Sequence, residues 1–368
     1  MYVVFRVDAS LWIGSGHVMR CLTLADLFSD SGASCYFICR ELPGHMISHI
    51  EKKGHCVLSL PEPNIDLGAS ITDKKVRYSS WLGVDTAEDA RQTLAAVESI
   101  RRGKEINLLI LDHYSLDETW EGLVGNNFRK VMVIDDLANR KHKCDFLLDQ
   151  TFGRNESDYY QYVRNDCSLL IGPKYAILRS EFYFIREYSL NRRRTPNLEH
   201  ILITMGGVDK DNATGKVLES LHDFPILPNC HITVVMGGNA PWLNTVKELA
   251  QKAHYPVEVK TDVDYIAKLM AECDLCIGAT GSTSWERCCL GVPTISIELA
   301  ENQKFASRSL EKARAIIRLK EINSITSRLP KIIRELKAKP EKLAELSKRS
   351  RNIVDGRGGS RVISEILK

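Results

Sequence analysis

The sequence predicts an α/β protein with two domains, each built on a parallel sheet. Its 368 residues exceed the size of one typical domain, which is about 150 residues. Short apolar runs rich in Val and Ile alternate with longer segments of helical periodicity, which is typical of buried parallel strands joined by helices. This alternation stops at a basic, proline-ended segment, 191–196, and then begins again. We therefore expect two sheets with a connection near residue 190.

The composition is that of an ordinary globular protein, with 44% hydrophobic and 26% charged residues, so bulk disorder is excluded. The 50 Lys and Arg residues nearly balance the 47 Asp and Glu residues, and a net charge of +3 does not indicate a nucleic-acid partner. We expect a monomer.

We expect no secretory signal in the first residues, since Arg6 and Asp8 stand where an apolar core would be needed. The 11 cysteines form an odd, scattered set, which favours a reducing, cytoplasmic location. The longest apolar runs are far shorter than the roughly 18 residues that a membrane span needs, so we expect no membrane span.

Five apolar segments of the first half are predicted to be strands, with helices in the gaps between them. These strands are Tyr2–Val7, Ser34–Cys39, His55–Leu60, Asn107–Asp112 and Val131–Asp135. The first helix is predicted over 17–30, because Val18, Cys21, Ala25 and Phe28 share one stripe and Gly32 follows as a stop.

Five further strands are predicted in the second half: His200–Met205, His231–Met236, Val257–Lys260, Asp274–Ile277 and Pro293–Glu298. The end of the chain is charged and helical in period, and we expect it to pack on the body. The predicted organisation is therefore an N-terminal domain over 1–190, a C-terminal domain over 196–335 and a helical tail over 336–368.

The first glycine-rich turn, Gly14-Ser-Gly16, lies between the first strand and the first helix. Glycines there let a ligand approach the backbone, and the free N–H groups of a helix start attract anions. Met19 and Arg40 stand where a dinucleotide-binding motif has a glycine and an acid, and no lysine-containing phosphate loop occurs. We therefore expect no nicotinamide or other cofactor.

His17 is predicted to lie in the first turn of this helix, where the helix dipole disfavours imidazolium. A neutral imidazole could accept a proton, although a histidine that only hydrogen-bonds its own loop fits equally well. Arg20, one turn later, is either a partner of a phosphate or carboxylate or a solvated residue. Asp8 ends the first strand and is predicted to face the His17 loop.

Two neighbouring strands end in acidic residues, at Asp112-His113-Tyr114 and at Asp135-Asp136. Ligands of open α/β sheets bind at this end of the strands, so the carboxylates could hold a metal or act as acid and base. Strand-end acids also cap the next helix, and we favour capping for Asp136. The Cys273-x-x-Cys276 pair has no second pair at metal-ligand spacing, so we predict no metal site.

In the second half, two glycine-rich turns follow predicted strands, at 204–207 and at 278–284. Backbone amides of such turns can bind a diphosphate. Glu286, in the first turn of the following helix, could accept both hydroxyls of a ribose. Its alternative role is a favourable interaction with the helix dipole.

Together these motifs resemble the UDP-2,4-diacetamido-2,4,6-trideoxy-β-L-altropyranose hydrolase family (PseG) of pseudaminic acid biosynthesis, over nearly the whole chain. The matching motifs are Arg6-x-Asp8, Gly14-x-Gly16-His17-x-x-Arg20, Asp112-His113-Tyr114, Ile134-Asp135-Asp136, Ile171-Gly172-Pro173-x-Tyr175-Ala176-x-x-Arg179, Met205-Gly206-Gly207, Gly281-Ser-Thr-Ser-Trp285-Glu286 and Asn302-Gln303. The second half is also similar to the donor domain of MurG-type glycosyltransferases, in which a Glu five residues before Gly-x-Pro binds ribose. Glu286 precedes Gly291-Val-Pro293 in this way.

The resemblance implies a GT-B-like fold, in which two Rossmann-like domains have parallel sheets facing a central cleft. It implies that His17 is the catalytic base. It implies that Tyr114 and Asn302 bind the sugar. We further predict Asp8, Gly14, Gly16, Arg20 and Gln303 as substrate-binding residues. The implied nucleotide-binding residues of the C-terminal domain are Gly206, Gly207, Gly281, Ser282, Thr283 and Glu286.

The implied reaction is hydrolysis of a UDP-linked diacetamido sugar with inversion at the anomeric carbon and without a metal. Two alternatives remain open at this point. A GT-B glycosyltransferase would transfer the same donor to an acceptor instead of water, and a nucleotide-sugar binder would keep the site without turnover.

Overall fold

The computed structural model describes residues 1–63, 78–101, 103–222 and 230–368. The chain forms two compact units. The first unit contains Met1–Ile177 and Gly359–Lys368, and the second unit contains Leu178–Gly358. Among the described residues, no helix is long and apolar enough to cross a membrane.

The first unit has a seven-stranded parallel sheet with the order β3-β2-β1-β4-β5-β6-β7. Its strands are β1 (Tyr2–Val7), β2 (Ser34–Arg40), β3 (Cys56–Leu60), β4 (Ile106–Asp112), β5 (Phe128–Ile134), β6 (Phe146–Asp149) and β7 (Ser168–Ile171). Its α-helices before residue 178 are α1 (Gly16–Asp30), α2 (Ile47–Lys52), α3 (Thr86–Arg101) and α4 (Glu118–Val124). The five strands predicted in this half are confirmed to within about three residues at each end.

Strands β6 and β7 were not predicted, and no helix separates β5 from β6 in the described structure. Each of the two strands has only four residues. In the described structure, each gap between the five predicted strands contains a helix, as expected, whereas residues 135–145, after the last of these strands, connect β5 to β6 without one.

The second unit has a six-stranded parallel sheet with the order β10-β9-β8-β11-β12-β13. Its strands are β8 (His200–Thr204), β9 (His231–Met236), β10 (Val257–Thr261), β11 (Leu275–Ala279), β12 (Thr294–Ile297) and β13 (Ile317–Leu319). Its α-helices are α5 (Ser180–Arg192), α6 (Ala213–His222), α7 (Leu243–Lys252), α8 (Ile266–Glu272), α9 (Thr283–Cys289), α10 (Lys304–Lys312), α11 (Ile325–Ala338) and α12 (Pro340–Ser350). The helix that follows, α13 (Gly358–Ile366), belongs to the first unit from Gly359 onward. The five predicted strands are again found, and the three-residue β13 was missed.

Both faces of the first sheet are buried, which explains the continuous apolar runs in its sequence. Val3 and Phe5 of β1 pack in one core cluster together with Val18 of α1. Val4, between them, points to the opposite face and packs in a second cluster with Trp120 of α4. Strands covered by helices on both sides cannot alternate apolar and polar residues.

The change from the first to the second unit lies at residue 178, ahead of the boundary near 190 that the sequence predicts. Helix α5 belongs to the second unit because its end is bonded there. The Ser189 hydroxyl donates to the Leu290 carbonyl at 2.7 Å. The buried Arg193 guanidinium donates to the carbonyls of Met270 and Cys273, both at 2.8 Å. The basic segment that resembles a linker thus caps the C-terminal end of α8.

The predicted tail over 336–368 is divided between the two units. Leu336 and Leu343 pack in the core of the second unit. Val362 and Ile363 pack in the first unit, in the same core cluster as Leu22 of α1. The end of the chain therefore completes both cores, because each unit offers it an apolar surface.

Two stacked histidines make the second unit sensitive to acid. The rings of His200 in β8 and His231 in β9 lie 3.9 Å apart. Burial and then the neighbouring His231 lower the pKa of His200 from 6.5 to about 4. A histidine with a depressed pKa stabilises the fold above its unfolded pKa, and that contribution is lost as the pH falls from about 6.5 towards 4.

Between pH 7.5 and pH 5.0, we predict that the free energy of unfolding falls by about 1 kcal/mol less in His231→Gln than in wild type. The reason is that His200 then protonates without a charged neighbour. Urea unfolding at the two pH values measures this difference. His45→Gln, which removes an exposed imidazole from the first unit, is the control. Equal pH dependence in wild type and His231→Gln would contradict the prediction.

Candidate active site

The Gly14 turn sets where α1 begins. Gly14 has a φ of +80°, in the region that favours glycine, and its N–H donates to the Ser10 carbonyl at 2.9 Å. The Ser10 hydroxyl accepts the N–H of Ile13 at 3.0 Å. Because this closed turn ends at Gly16, His17 lies in the first turn of the helix, as predicted.

His17 is held by a carboxylate from the neighbouring strand. Its Nδ1 lies 2.6 Å from Oδ1 of Asp112, and both side chains are buried. Strands β1 and β4 are adjacent, with Val7 paired to Asp112, so the helix that follows β1 starts beside the end of β4. When Nδ1–H donates to the carboxylate, Nε2 is the nitrogen that can accept a proton.

Arg20 connects two carboxylates. Its Nε donates to Oδ2 of Asp112 at 2.5 Å and its Nη2 to Oδ1 at 2.7 Å, which is a bidentate pair. Its Nη1 donates to Oδ2 of Asp136 at 2.7 Å, and the Tyr114 hydroxyl donates to the same oxygen at 2.8 Å. Asp136 therefore joins the His17 group, and the capping role that we favoured for it is wrong.

Charge compensation keeps this group ionised in spite of its burial. Burial alone would raise the pKa of Asp112, but Arg20 and His17 bring that pKa well below its usual value. Burial and then Asp136 raise the pKa of Tyr114, so its phenol remains a protonated donor. The group thus combines an ionised carboxylate, a permanent cation and a hydroxyl donor around one imidazole.

Three aromatic rings lie around the His17 imidazole. Two of them, Tyr78 and Trp81, were not predicted from the sequence. Tyr114 lies edge-on to His17 with ring centroids 4.7 Å apart. Trp81 stacks on Tyr114 at 5.6 Å, and Tyr78 lies edge-on to Trp81 at 4.9 Å. Tyr78 and Trp81 belong to a short 3-10 helix, Tyr78–Leu82, whose sequence carries no motif that links it to His17.

Asp8 belongs to a different group of side chains from the one predicted. Its carboxylate is wholly buried, pairs with Arg6 at 2.6 Å and accepts the N–H of Arg40 at 2.7 Å. Both arginines also pair with the buried Asp89 of α3, at 2.7 and 2.6 Å. Asp8 ties β1 to β2 and does not face the His17 loop. Substrate binding by its side chain has no support in these contacts.

In the second unit, two glycine-rich turns leave adjacent strands at the same edge of the sheet. Strands β8 and β11 pair so that Thr204 lies opposite Gly278. Gly206 and Gly207 follow β8 and are exposed, and Gly206 has a φ of +94°. The turns therefore present backbone amides at the carboxyl ends of the strands, which is where open α/β sheets bind ligands.

The turn after β11 leads into α9. Gly281 and Ser282 are exposed, and Thr283 begins the helix. Glu286, one turn further on, is half-buried, and among the described residues its carboxylate has no hydrogen-bond or ion-pair partner. Burial raises the pKa of Glu286, while Arg179 and Arg287 act against this rise. The Glu286 oxygens are thus available as acceptors.

The loop after β12 contains Asn302 and Gln303 in a short 3-10 helix, Glu301–Gln303. Oε1 of Gln303 accepts the N–H of Leu299 at 2.8 Å, so this side chain shapes its own loop. Asn302 is half-buried beside it. The structure gives Gln303 a local structural role, and substrate binding by Asn302 remains a prediction.

The cysteines of the second unit are packing residues. Burial raises the pKa of both Cys273 and Cys288 to about 12, so both stay thiols at neutral pH. In the described part of the chain, no three His, Cys, Asp or Glu residues are grouped so that they could hold a metal ion.

The chain contains two parallel-sheet units, and glycine-rich turns suited to ligand binding lie at the carboxyl ends of their strands. These features define a GT-B-like fold. Residues 200–361 match the family described as glycosyltransferase family 28 C-terminal domain. The crystal structure of Acinetobacter baumannii MurG is similar in fold, with a TM-score of 0.67 and 13% identity over 100% of this chain and 99% of that chain.

The predicted resemblance to the hydrolase family is confirmed. The chain is 28% identical over 313 residues to the UDP-2,4-diacetamido-2,4,6-trideoxy-β-L-altropyranose hydrolase of Campylobacter jejuni, which covers 85% of this chain and 97% of that protein. It is also 25% identical over 312 residues to an uncharacterized protein of Methanocaldococcus jannaschii, which covers 83% of this chain but only 57% of that longer protein.

We predict that Asp112→Asn lowers the free energy of unfolding by about 3–5 kcal/mol, because Arg20 is left as a buried charge without its bidentate partner. Glu88→Gln is the control. It removes an ion pair of the same kind, Glu88–Arg91 at 2.7 Å, from the surface of the first unit. The control should change stability by about 1 kcal/mol or less. Similar losses in the two variants, measured by urea unfolding at pH 7.5, would contradict the prediction.

Proposed function

We propose that the protein hydrolyses a UDP-linked 2,4-diacetamido-2,4,6-trideoxy sugar at its anomeric carbon, with inversion, and releases UDP and the free sugar for nonulosonic acid biosynthesis. The similarity to the Campylobacter jejuni hydrolase over 85% of the chain supports the substrate class. The observation that carries the chemistry is the buried His17–Asp112 pair, with Nδ1 and Oδ1 2.6 Å apart.

His17 is the general base of this proposal. Asp112 accepts a hydrogen bond from Nδ1–H, so Nε2 is the basic nitrogen. Nε2 takes a proton from water while the water oxygen bonds to C1 of the sugar. The bond between C1 and the diphosphate oxygen breaks, and its electron pair leaves with UDP. The imidazolium that forms is stabilised by the Asp112 carboxylate, which Arg20 holds in place.

UDP departs as a stable anion, so the leaving group needs donors that hold its charge more than it needs a proton. The exposed amides of Gly206, Gly207, Gly281 and Ser282 are assigned this task, together with the Thr283 hydroxyl. Glu286, which has no partner among the described side chains, accepts the ribose hydroxyls.

The remaining site residues are assigned to the sugar. Tyr114 holds a protonated hydroxyl next to His17, and Asn302 carries an amide that can recognise an acetamido group. The Gly14 and Gly16 turn supplies backbone groups, and Arg20 acts through Asp112 and Asp136.

A second candidate function is glycosyl transfer to an acceptor other than water, because residues 200–361 match a glycosyltransferase domain. The two reactions share the donor site and differ in what attacks C1. Incubation with nucleotide sugar alone separates them, since a hydrolase releases free sugar and a transferase leaves the donor intact.

The deciding experiment is mass spectrometry and proton NMR of the products from a panel of UDP sugars with and without acetamido and 6-deoxy groups. We expect UDP and free sugar of inverted anomeric configuration from the diacetamido-trideoxy donor, formed faster than from UDP-N-acetylglucosamine. Intact donor throughout the panel would refute the proposal.

We predict that His17→Ala lowers kcat by about 10²–10⁴-fold, because the general base is lost. The Kd of UDP should change less than about 3-fold, since the assigned nucleotide residues lie in the second unit. Stopped assays and calorimetry give the two values. His45→Gln, at an exposed position, should leave both unchanged. Near-normal turnover by His17→Ala would remove His17 from the mechanism.

A further inference from the structure

We propose that Arg287 is the buried counter-charge of the diphosphate site, which acts by turning the hydroxyl of Thr283 outward as a donor. This inference rests on the proposed function only in taking a nucleoside diphosphate as the ligand. Arg287 lies on α9, one helical turn after Thr283, and no sequence motif singled it out.

The position of Arg287 is unusual for a permanent cation. The residue is 2% exposed, yet among the described residues it forms no ion pair with an acidic side chain. Buried charges in proteins are normally paired, because an unpaired ion loses its hydration without compensation. Glu286, the next residue, interacts electrostatically with Arg287 but forms no ion pair with it, so an anionic ligand could provide a directly paired counter-ion.

The guanidinium donates to neutral oxygens of the turn and also lies next to the buried Cys276 thiol. Its Nη2 donates to the Ala279 carbonyl at 2.7 Å and to the Ser284 hydroxyl at 3.0 Å. Its Nη1 donates to the Thr283 hydroxyl at 3.2 Å. Its Nε is buried and has no hydrogen-bond partner. The cation thus lies against the turn that follows β11.

The absence of a side chain at Gly278 leaves room for this guanidinium. A Cβ at Gly278 would lie 2.6 Å from Nη1 of Arg287 and 2.7 Å from the Thr204 carbonyl. Any larger residue at 278 would therefore displace either the guanidinium or the end of β8. At Gly281, on the same turn, a Cβ would meet no atom within 4 Å, so this part of the turn is open to a ligand.

The hydrogen bonds from Arg287 determine where the hydroxyl hydrogens of this turn can point. A guanidinium has only donors, so the Thr283 oxygen accepts from Arg287 and its own hydrogen must point elsewhere. The same holds for Ser284. Arg287 therefore leaves the hydrogen of the half-buried Thr283 hydroxyl free to be donated outward, adjacent to the exposed amides of Gly281 and Ser282, whereas Ser284 is buried. A diphosphate is the ligand that uses several donors and a nearby positive charge at once.

The test compares ligands that differ in charge. Calorimetry with the full chain measures the Kd of UDP, inorganic pyrophosphate and uridine for wild type, Arg287→Gln and Arg287→Lys. We expect Arg287→Gln to weaken UDP and pyrophosphate at least about 10-fold and uridine less than about 2-fold. Arg287→Lys, which keeps the charge, should recover most of the UDP affinity. A purely structural arginine would weaken UDP and uridine equally, and this result would overturn the proposal.

A second pair of variants keeps Arg287 in place, so that a folding defect at 287 cannot hide the answer. Thr283→Val removes the hydroxyl and should weaken UDP about 3-fold or more, whereas Thr283→Ser should bind UDP like wild type. Equal UDP affinity in Thr283→Val and wild type would overturn the donor role.

The two proposals fail differently. UDP affinity that depends on Arg287, in a protein that releases no free sugar, refutes the hydrolase and supports the role of Arg287. Release of free sugar by a protein whose UDP affinity is the same in wild type and Arg287→Gln refutes only the role of Arg287. Wild type that binds neither UDP nor pyrophosphate refutes both.

Discussion

The Asp112 carboxylate is the interaction on which the first unit's site depends. It accepts from Arg20 through both oxygens and from His17 through one, while it is shielded from water. A carboxylate in this position would normally be neutral, and the guanidinium keeps it charged. The ionised carboxylate in turn sets which nitrogen of His17 carries a proton. The chemistry of the imidazole is therefore determined by a partner 95 residues away in the chain.

Buried charge is handled in two different ways in the two units. In the first unit, Arg6 and Arg40 are matched by Asp8 and Asp89, and this closed set joins three elements of the fold. In the second unit, Arg287 contacts neutral oxygens and lies against an exposed glycine turn. A matched set is complete by itself, whereas an unmatched cation attracts an anion. Arg193 is also buried without an acidic partner but caps the carbonyls of α8, so the exposed glycine turn beside Arg287 is what marks that arginine as part of a candidate binding site.

Much of the fold follows from local sequence patterns, chiefly the apolar runs that predict the strands. Each of the ten predicted strands is present, because short apolar runs rich in Val and Ile, of four to seven residues, are typical of strands inside a covered sheet. The strands β6, β7 and β13, with four, four and three residues, were not predicted. The division into units was placed wrongly near 190 because charge was taken as a sign of exposure. The structure uses Arg193 to cap buried carbonyls instead.

The sequence by itself determined the two parallel sheets, the turns at their carboxyl edges and the place of His17 at a helix start, since these depend on residues close together in the chain. Only the tertiary structure decided that Asp136 joins His17 through Arg20, that Asp8 does not, that Trp81 covers Tyr114, and that Arg287 has no acidic partner. The physical reason is that hydrogen bonds and ion pairs act over about 3 Å in space. Spacing along the chain indicates which residues end a strand, but the register of strands distant in sequence decides which of those ends meet.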